Sequence, residues 1–381
     1  MHFTLTPEQL AFQQAARRFA RETVAPLAAA IDERDEFPAD LVKAAGARGL
    51  MGVTIPTAWG GAGRDYVSYA LALEEIARAS ATLAVILVVN NSLVSEPLLR
   101  FGSEDQKRTW LPRLASGERV GAFALSEEDA GTDAANQQTA AASLPGGGFR
   151  LTGRKTWVTC AAAADLVLVF AGEAGQTGKR AVSAFLVPMN ARGVVRGARN
   201  ESMGVRGLGG IDLELADVDV GADALVGARG AGFEMARWAF EGARIGIAAQ
   251  AIGIGQVAFD EARAHAKRRH TFGKPIATYE AIQFMLADSA TELDAARMLT
   301  LKAASTKDAQ DQCGVEAAMA KLYASEAATH ATDRAMQILA SAGYRRGSIL
   351  ERLYRDVRAA EIYPGTSEVQ RMIISGAVLR K

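Results

Sequence analysis

Cysteine and histidine are scarce in this sequence. Its 381 residues include two cysteines, Cys160 and Cys313, and four histidines. One pair of cysteines gives neither a disulfide framework nor a metal-ligand spacing, and reduced thiols are typical of a cytoplasmic protein. His265 and His270 are five positions apart and therefore do not stack on one helix face. We expect a cytoplasmic protein without a metal site, a histidine catalyst or a Ser-His-Asp triad.

A net charge and a long apolar run are also missing. Lysine plus arginine and aspartate plus glutamate number 43 each, so we expect no general attraction to nucleic acid or to an anionic membrane. The longest apolar run, Leu83–Val89, is too short to cross a bilayer and indicates a buried helix segment. Residues 1–20 lack the apolar core of a signal peptide. With 49% hydrophobic and 23% charged residues, the composition is that of a soluble globular protein of two or three domains.

Helical patterns occupy both ends of the chain. Thr6-Pro7-Glu8 is a helix start, with a cap, a proline at the first helical position and an acidic first turn. Apolar residues then recur at helical spacing up to Pro26. Near the other end, the alanine-rich segment 316–342 suits tight packing between helices. Further helices are predicted after Pro38, at about 66–79 and 82–101, and after Ser103, which can cap the next one.

Short β-branched and aromatic runs separated by turns mark the middle of the chain. Their spacing favours a compact β-barrel or sandwich over alternating βαβ units. The sequence therefore predicts an α+β protein with an N-terminal helical domain (1–116), a middle β domain (117–226) and a C-terminal helical bundle (227–381). The predicted strands include Val120–Leu125, Phe149–Thr152, Leu166–Phe170, Ser183–Val187 and Leu213–Leu215.

The stretch Glu361-Ile-Tyr-Pro-Gly-Thr-Ser-Glu-Val-Gln-Arg371 predicts a short extended run, a turn and a helix start. Pro364 fixes its own φ and biases Tyr363 toward an extended conformation. Gly365 supplies the turn, and Thr366 or Ser367 can cap the following helix. Such a corner is a good place for a pocket, although taken alone it is more simply an ordinary helix-turn-helix corner.

This stretch resembles the Tyr-Glu-Gly-Thr-Ser-x-x-Gln-Arg signature of the acyl-CoA dehydrogenases, flavoproteins that oxidise acyl thioesters to α,β-enoyl thioesters. The α-β-α order and further motifs resemble the same family over essentially the whole chain, with the short-chain (butyryl-CoA) branch closest. The resemblance implies the family fold, with a helical domain, a β-barrel and a C-terminal four-helix bundle. The further motifs are Phe123-Ala-Leu-Ser126-Glu, Gly131-Thr132-Asp133, Lys155-Thr-Trp157-Val-Thr159, Met203-Gly-Val-Arg206-Gly207 and Arg269-His-Thr271-Phe272-Gly273-Lys274.

The resemblance implies FAD as the cofactor. A flavin needs its ring held flat, its polar edge hydrogen-bonded and its pyrophosphate neutralised. By resemblance, Trp157 packs beside the ring, Thr159 reaches its N5 edge, and Leu125 and Ser126 face its pyrimidine end. Taken singly, Trp157 would be a core aromatic, but its place in an ordered set of motifs favours the cofactor role.

The resemblance also implies that each FAD site borrows residues from a second copy of the chain. Arg269, Thr271 and Phe272 correspond to residues that hold the FAD of a neighbouring subunit, so a homotetramer is expected. The remaining positions that match FAD contacts are Gly131, Thr132, Gln337 and Thr366.

The substrate side of the site is also implied by resemblance. Arg244 matches a family arginine near the CoA nucleotide, and its planar fork suits a phosphate; a solvated helix charge is the alternative. Leu93 and Tyr363 match positions that line the acyl pocket, with Gly365 beside them. The expected partners are an acyl-CoA or acyl-carrier-protein thioester and an electron-transfer flavoprotein as electron acceptor.

Pro364 occupies the position of the glutamate that removes the α-proton in most of the family. Proline has no carboxylate, and it has no backbone N–H, which in the family helps to polarise the thioester carbonyl. A positioned base contributes roughly 10²–10⁴ in rate, and a lost oxyanion donor costs roughly 10²–10³. Ordinary dehydrogenation should therefore be severely slowed.

A replacement base has few candidates. Some relatives carry the base on the helix of Arg244, but the matching residue here is Ala243. Glu96 follows a family-like Asn-Ser-Leu and is unusual in short-chain relatives, so it could point into the pocket, although a surface or interface charge is the simpler interpretation. Two further departures change predicted cofactor contacts, namely Leu208-Gly209-Gly210 and Ala340-Ser341 in place of a common Gly-Gly.

The sequence thus predicts an FAD-dependent oxidoreductase that acts on a short acyl thioester, by α,β-desaturation or its reverse, with an altered base. Two alternatives stay open. One is other flavin chemistry on the same scaffold, such as elimination from the thioester or oxygen-dependent oxidation. The other is a catalytically silent subunit that binds FAD or thioester, or that pairs with an active relative.

Overall fold

The computed structural model describes residues 4–173, 178, 181–310 and 312–380. Within them the order of elements is helices, then strands, then helices. The change from helix to strand falls between Ala115 and Gly121, and the change back between Val226 and Gly232. The α-β-α order predicted from the sequence is confirmed, while the exact domain boundaries stay a prediction.

The N-terminal helices are held by the caps that the sequence predicted. The hydroxyl of Thr6 accepts from the backbone N–H of Gln9, and Gln9 reciprocates; Ser103 and Gln106 form the same capping box. The first helix does not end at Pro26, because a π-helical turn at Ala20–Val24 carries it into the next helix without a break. The helices are α1 Pro7–Phe19, α2 Ala25–Arg34, α3 Ala39–Gly46, α4 Tyr66–Ala77, α5 Ala81–Val88, α6 Glu96–Phe101 and α7 Glu104–Ala115.

Helices α5 and α6 form one continuous buried element. A π-helical segment, Val89–Ser95, joins them. The stretch Ala81–Phe101 is the one described helix with the length and mean hydropathy (1.5) to suit a bilayer, and 89% of its apolar window is buried inside the protein. Asn90 and Asn91 lie in it and donate to backbone carbonyls of neighbouring segments. This is the buried helix that the apolar run predicted.

Over its described residues, the middle domain is one eight-stranded sheet, ordered β6-β7-β3-β2-β4-β5-β8, with β1 paired in parallel to β4. Each predicted run falls on an observed strand. The pairing of β3 with β7 shifts register between Lys155 and Val158, and Trp157 has a left-handed φ of 54° in this bulge. The strands are β1 Gly121–Ala124, β2 Ala140–Ser143, β3 Phe149–Val158, β4 Leu166–Glu173, β5 Val182–Pro188, β6 Val194–Arg199, β7 Ile211–Val220 and β8 Leu225–Val226.

The long helix α8 is the centre of the C-terminal domain, and it packs against α4, α5, α9 and α10. Glycines allow the closest approach: a Cβ on Gly253 would lie 2.5 Å from the carbonyl oxygen of Glu74. The alanine-rich segment forms α10, as predicted. The elements are α8 Gly232–Arg268, β9 His270–Thr271, β10 Lys274–Pro275, α9 Glu280–Ala309, α10 Gly314–Leu339, α11 Ser341–Tyr344, α12 Ile349–Ala359 and α13 Ser367–Val378.

Candidate active site

The turn Tyr363–Thr366 joins α12 to α13, and it is half-buried. The backbone N–H groups of Ile362 and Tyr363 both donate to the carbonyl oxygen of Ala359. The chain before Pro364 is therefore a turn that continues from the helix, and the predicted extended run is wrong, because local helix-end bonds outweigh the bias of a following proline. Thr366 caps α13 by accepting from the N–H of Val369, as predicted.

Two central helices fix the position of this turn. The Tyr363 hydroxyl bonds the side chain of Gln250 on α8, at 3.1 Å from Nε2. Lys321 on α10 donates from Nζ to the Gly365 carbonyl oxygen at 2.9 Å. Gln370 donates to the same oxygen at 2.7 Å. Gly365 has a φ of 87°, which favours glycine because a Cβ is strained in this region.

Two buried cations lie near each other, Lys321, which contacts the turn, and Arg244, whose charge acts on Lys321. Arg244 is 8% exposed, its Nε has no hydrogen-bond partner among the described residues, and burial lowers its pKa to about 10. Lys321 is fully buried, and burial, followed by the nearby Arg244 charge, lowers its pKa to about 8. The site therefore carries positive charge that the protein itself leaves poorly compensated. The CoA role predicted for Arg244 stays a prediction.

Glu96 lies in the interior rather than on the surface. It is 5% exposed, and it accepts from the hydroxyl of Thr54 at 2.5 Å and from the hydroxyl of Tyr66. Burial raises its pKa, against the effect of these two hydrogen bonds. A Cβ on Gly242 of α8 would lie 3.1 Å from Glu96 Oε2. The carboxylate thus faces α8 at Gly242. The next residue, Ala243, matches the position at which some relatives carry the base.

Leu93, predicted to line an acyl pocket, is buried in the π-helical segment between α5 and α6. It belongs to the large hydrophobic cluster against which Tyr363 also packs. The structure therefore places both residues on one continuous apolar core.

A buried ion pair holds the segment Phe123–Glu127 against the segment Lys155–Thr159, both of which are predicted to contact the cofactor. Lys155 donates from Nζ to Glu127 Oε1 at 2.7 Å and to the carbonyl oxygen of Leu125 at 3.0 Å. Burial lowers the pKa of Lys155 to about 8. Burial alone would raise the pKa of Glu127, but the Lys155 charge and hydrogen bonds lower it overall. The N–H of Thr156 donates to the carbonyl oxygen of Ser126 at 3.0 Å, so the two motifs lie side by side.

Trp157 and Thr159 line a surface cleft together with Leu208, Gly209 and Gly210. The Trp157 ring is 62% exposed, as expected of an aromatic surface that a planar ring covers. The cleft is also lined by Asn200, whose Oδ1 is buried without a hydrogen-bond partner among the described residues. An exposed ring beside an unsatisfied acceptor fits the isoalloxazine of a flavin, which presents both a flat face and an N–H edge.

The cleft adjoins the other two domains. The loop that leads to Leu208 is held by Asp35 at the end of α2, which accepts from the N–H of Gly207 at 2.6 Å. On the other side, Asp356 of α12 accepts from the N–H of Val205 at 2.6 Å. Since α12 continues into the Tyr363–Thr366 turn, the cleft wall and the turn are parts of one connected structure.

The remaining predicted cofactor residues lie on the surface. Arg269 is exposed, and Thr271 and Phe272 belong to the small hairpin of β9 and β10. Phe272 is 97% exposed. Exposing so much apolar surface to water is unfavourable, and contact with a second molecule would cover it. The other surface residues are Gly131, Thr132 and Gln337.

Some residues of the site were missed from the sequence. Lys321 had a usable signal, because Ala317, Ala324 and Ala328 share its buried stripe on α10 and a lysine is rarely fully buried without a special partner. Gln250 had no comparable local signal, since its partner Tyr363 lies 113 positions away in the sequence, and no residue pattern marks Asn200.

Comparison with known proteins accounts for this arrangement. Models described as the N-terminal, middle and C-terminal domains of acyl-CoA dehydrogenase match residues 6–118, 122–218 and 230–379. The chain is 44% identical over 368 residues to the mitochondrial short-chain specific acyl-CoA dehydrogenase of Bos taurus, covering 97% of this chain and 89% of that one.

Solved structures give the same result. Butyryl-CoA dehydrogenase from Megasphaera elsdenii superposes with a TM-score of 0.97 at 37% identity, with both chains covered completely. A prolyl acyl carrier protein oxidase superposes with a TM-score of 0.94 at 28% identity, over 98% of this chain and 100% of that one. With its three family domains in order and its similarity to short-chain enzymes, this chain belongs to the acyl-CoA dehydrogenase family, whose members are FAD-dependent enzymes.

Proposed function

We propose that this flavoprotein oxidises a short acyl thioester to its α,β-enoyl form, or catalyses the reverse, with a base other than the usual glutamate. The observation that carries this proposal is the 44% identity to a short-chain specific enzyme over 97% of the chain. The geometry of the Tyr363–Thr366 turn supports it, because α8 and α10 hold the turn even though Pro364 has replaced the carboxylate.

The chain's own residues would hold the cofactor and the substrate. FAD, when bound, supplies the hydride acceptor. The Trp157 ring and Thr159 would hold it at the cleft, and the Leu125–Ser126 segment is kept rigid for this purpose by Lys155. We place the acyl group between this cleft and the Tyr363–Thr366 turn, with Leu93 in its apolar wall. A homotetramer would complete the site through the hairpin of Phe272, and an electron-transfer flavoprotein would accept the electrons.

Glu96 is the candidate for the altered base. Its pKa is raised by burial, which brings a carboxylate nearer to the range where it can take a proton at neutral pH. It faces Gly242 on α8, the residue before Ala243, which supports a position near the substrate. Against this role, both of its oxygens already accept from hydroxyl groups.

A carrier-protein thioester is the second candidate substrate, favoured by the likeness to a prolyl acyl carrier protein oxidase. Loss of the carboxylate at Pro364 also keeps a silent subunit and elimination chemistry as alternatives. Unlike the main proposal, both alternatives predict that a bound thioester does not bleach the flavin absorbance.

Anaerobic mixing of the purified protein with acyl-CoA and acyl-carrier thioesters tests the proposal. We expect a yellow protein with one FAD per chain whose flavin absorbance bleaches with a short acyl thioester. A flavin that binds thioesters without bleaching would favour elimination or a silent subunit. Copurification with an equal amount of a second dehydrogenase-like chain would then select the silent subunit.

A further inference from the structure

Lys321, which contacts the Tyr363–Thr366 turn, and the nearby Arg244 have donors to spare. Lys321 has three N–H donors, and among the described residues its one side-chain hydrogen bond goes to Gly365. Arg244, at 8% exposure, has no partner for its Nε in the part of the chain that the structure describes. An isolated buried cation is costly unless an anion pairs with it. The protein therefore maintains a site whose electrostatics favour an anion.

The carboxylates that surround the two cations do not fill this role. Glu241, Glu326 and Glu361 influence Arg244 or Lys321 through their charge, but each is bound by other groups. Glu368, which also acts on Lys321, is exposed to solvent. The partners are Lys307 and the N–H of Cys313 for Glu241, Arg371 for Glu326, and Thr329 and Arg358 for Glu361.

Further unsatisfied polar atoms lie at the start of α13, directly after the turn. Ser367 Oγ and Gln370 Oε1 are buried without hydrogen-bond partners among the described residues; the Ser367 hydroxyl can donate to an anion, whereas the Gln370 amide oxygen only accepts and takes no part in holding one. Gln370 is placed there by its bond to the carbonyl oxygen of Gly365, which it shares with Lys321. A guanidinium N–H, an ammonium and a hydroxyl are the donors that a carboxylate accepts from most strongly.

We propose that Arg244 and Lys321 bind a carboxylate that the acyl group of the substrate itself carries, on Cα or on the next carbon. The substrate class is then a malonyl-type or succinyl-type thioester. The inference rests on the proposed function, because it assumes that an acyl thioester reaches the Tyr363–Thr366 turn. In most relatives the glutamate at the position of Pro364 brings a negative charge close to Cα; here the substrate brings it.

Selectivity among acyl groups distinguishes this role of Arg244 from a contact with the nucleotide of CoA. A nucleotide contact affects every CoA ester equally, whatever the acyl group. A contact with an acyl carboxylate affects only acidic esters. The same arginine variant therefore separates the two roles.

Equilibrium titration of the FAD-loaded protein, followed by flavin absorbance, tests the proposal with two matched pairs of ligands. Methylmalonyl-CoA is compared with isobutyryl-CoA, and succinyl-CoA with butyryl-CoA, since in each pair a methyl group replaces the carboxylate. We expect the acidic ester of at least one pair to bind roughly tenfold to a hundredfold tighter, as for a charged hydrogen bond.

Arg244→Gln should remove this preference and leave the affinity for the neutral ester within about twofold. Lys321→Met should also remove the preference, but with some loss for every ester, because Lys321 supports the Tyr363–Thr366 turn. Arg237→Gln is the matched control, because Arg237 is an exposed arginine on the same helix that pairs with Glu234; it should keep the preference. An unchanged flavin spectrum in each variant shows that the fold is intact.

Several results would overturn the inference. A parent protein that binds neutral and acidic esters equally would remove it while leaving the proposed function in place. Equal losses for all esters in Arg244→Gln would return Arg244 to the nucleotide. If added acetate strengthens butyryl-CoA binding in the parent but not in Arg244→Gln, the site takes a free anion instead. A protein that binds no CoA ester would remove both this inference and the CoA form of the proposed function.

Discussion

Lys321 Nζ lies 2.9 Å from the carbonyl oxygen of Gly365, so a fully buried lysine on α10 supports the residue that follows Pro364. This contact holds the turn in place without any help from the side chain at position 364. The scaffold around the missing carboxylate is thus intact, which makes its residues suitable for mutational tests.

The pH dependence of stability should report the buried charge of Lys321. Its pKa is lowered from 10.5 to about 8 by burial and then by Arg244, so between pH 8 and 10.5 the unfolded chain binds more protons than the folded one. Stability from this group therefore rises with pH across that window and is least below pH 8. We expect the free energy of unfolding of the parent, measured with urea relative to that of Lys321→Met, to rise by up to about 3 kcal/mol from pH 7 to pH 10. A difference that is constant, or that shifts toward the variant, contradicts the burial of a charged Lys321.

Ala340 carries backbone strain that can be relieved. It has φ 50° and ψ −131° at the end of α10, a region that is favourable for glycine and costs other residues roughly 1–3 kcal/mol. Ala340→Gly should therefore raise the free energy of unfolding by about 1 kcal/mol. Ala342→Gly in the adjacent helix α11 is the control and should lower it by roughly 0.5–1 kcal/mol. Equal destabilisation by both variants would show that Ala340 is not strained.

The ion pair of Lys155 and Glu127 should matter for FAD retention as well as for stability. Lys155→Met leaves a buried carboxylate without its cation and frees the carbonyl oxygen of Leu125, so we expect a loss of about 3 kcal/mol and faster FAD release. Adding Glu127→Gln should recover part of the stability, because no buried charge is then unpaired. Urea unfolding and flavin fluorescence measure the two effects. Equal effects from the single and double variants would mean that the pair is not coupled.

The exposed hairpin should control association and FAD retention together. Arg269→Ala and Phe272→Ala are expected to weaken the oligomer and to lose FAD after less dilution than the parent needs. The reasons are that Phe272 is 97% exposed in the single chain and that Arg269 would contact the FAD of a neighbour. Lys267→Ala, an exposed cation near the end of α8, serves as the control. Sedimentation velocity and bound-flavin absorbance measure the outcome. Unchanged oligomers with full FAD in both hairpin variants would refute the shared site.

Local signals explain which parts of the fold were predictable. The caps at Thr6, Ser103 and Thr366 follow from side chains that reach backbone N–H groups three residues away. The continuation of the first helix through Pro26 was missed, because it depends on a π-helical turn at Ala20–Val24 that no residue pattern announces.

The site was predictable only where a motif was contiguous. The resemblance of Lys155–Thr159 and of the Pro364 stretch predicted two walls of the candidate site, and these stay predictions. The bond from Lys321 to Gly365 spans 44 positions and that from Gln250 to Tyr363 spans 113, so neither could be found from spacing. The interior position of Glu96 likewise depends on Thr54 and Tyr66, which come from separate segments.

We propose that Pro364 removes the base and one oxyanion donor from an acyl-CoA dehydrogenase site. Two further variants serve as controls. Pro364→Ala restores the backbone N–H alone, and should raise the rate of flavin reduction roughly 10²-fold or more. Glu96→Gln tests the alternative base. If the parent reduces its flavin rapidly and Glu96→Gln does not, the base is Glu96.

The most direct measurement is the rate at which butyryl-CoA reduces the flavin of Pro364→Glu and of the parent, mixed anaerobically in a stopped-flow instrument. Pro364→Glu restores both the carboxylate and the N–H, so it should exceed Pro364→Ala by a further factor of roughly 10²–10⁴. The parent should be the slowest of the three. A Pro364→Glu variant that binds FAD and butyryl-CoA but reduces its flavin no faster than the parent would contradict the account.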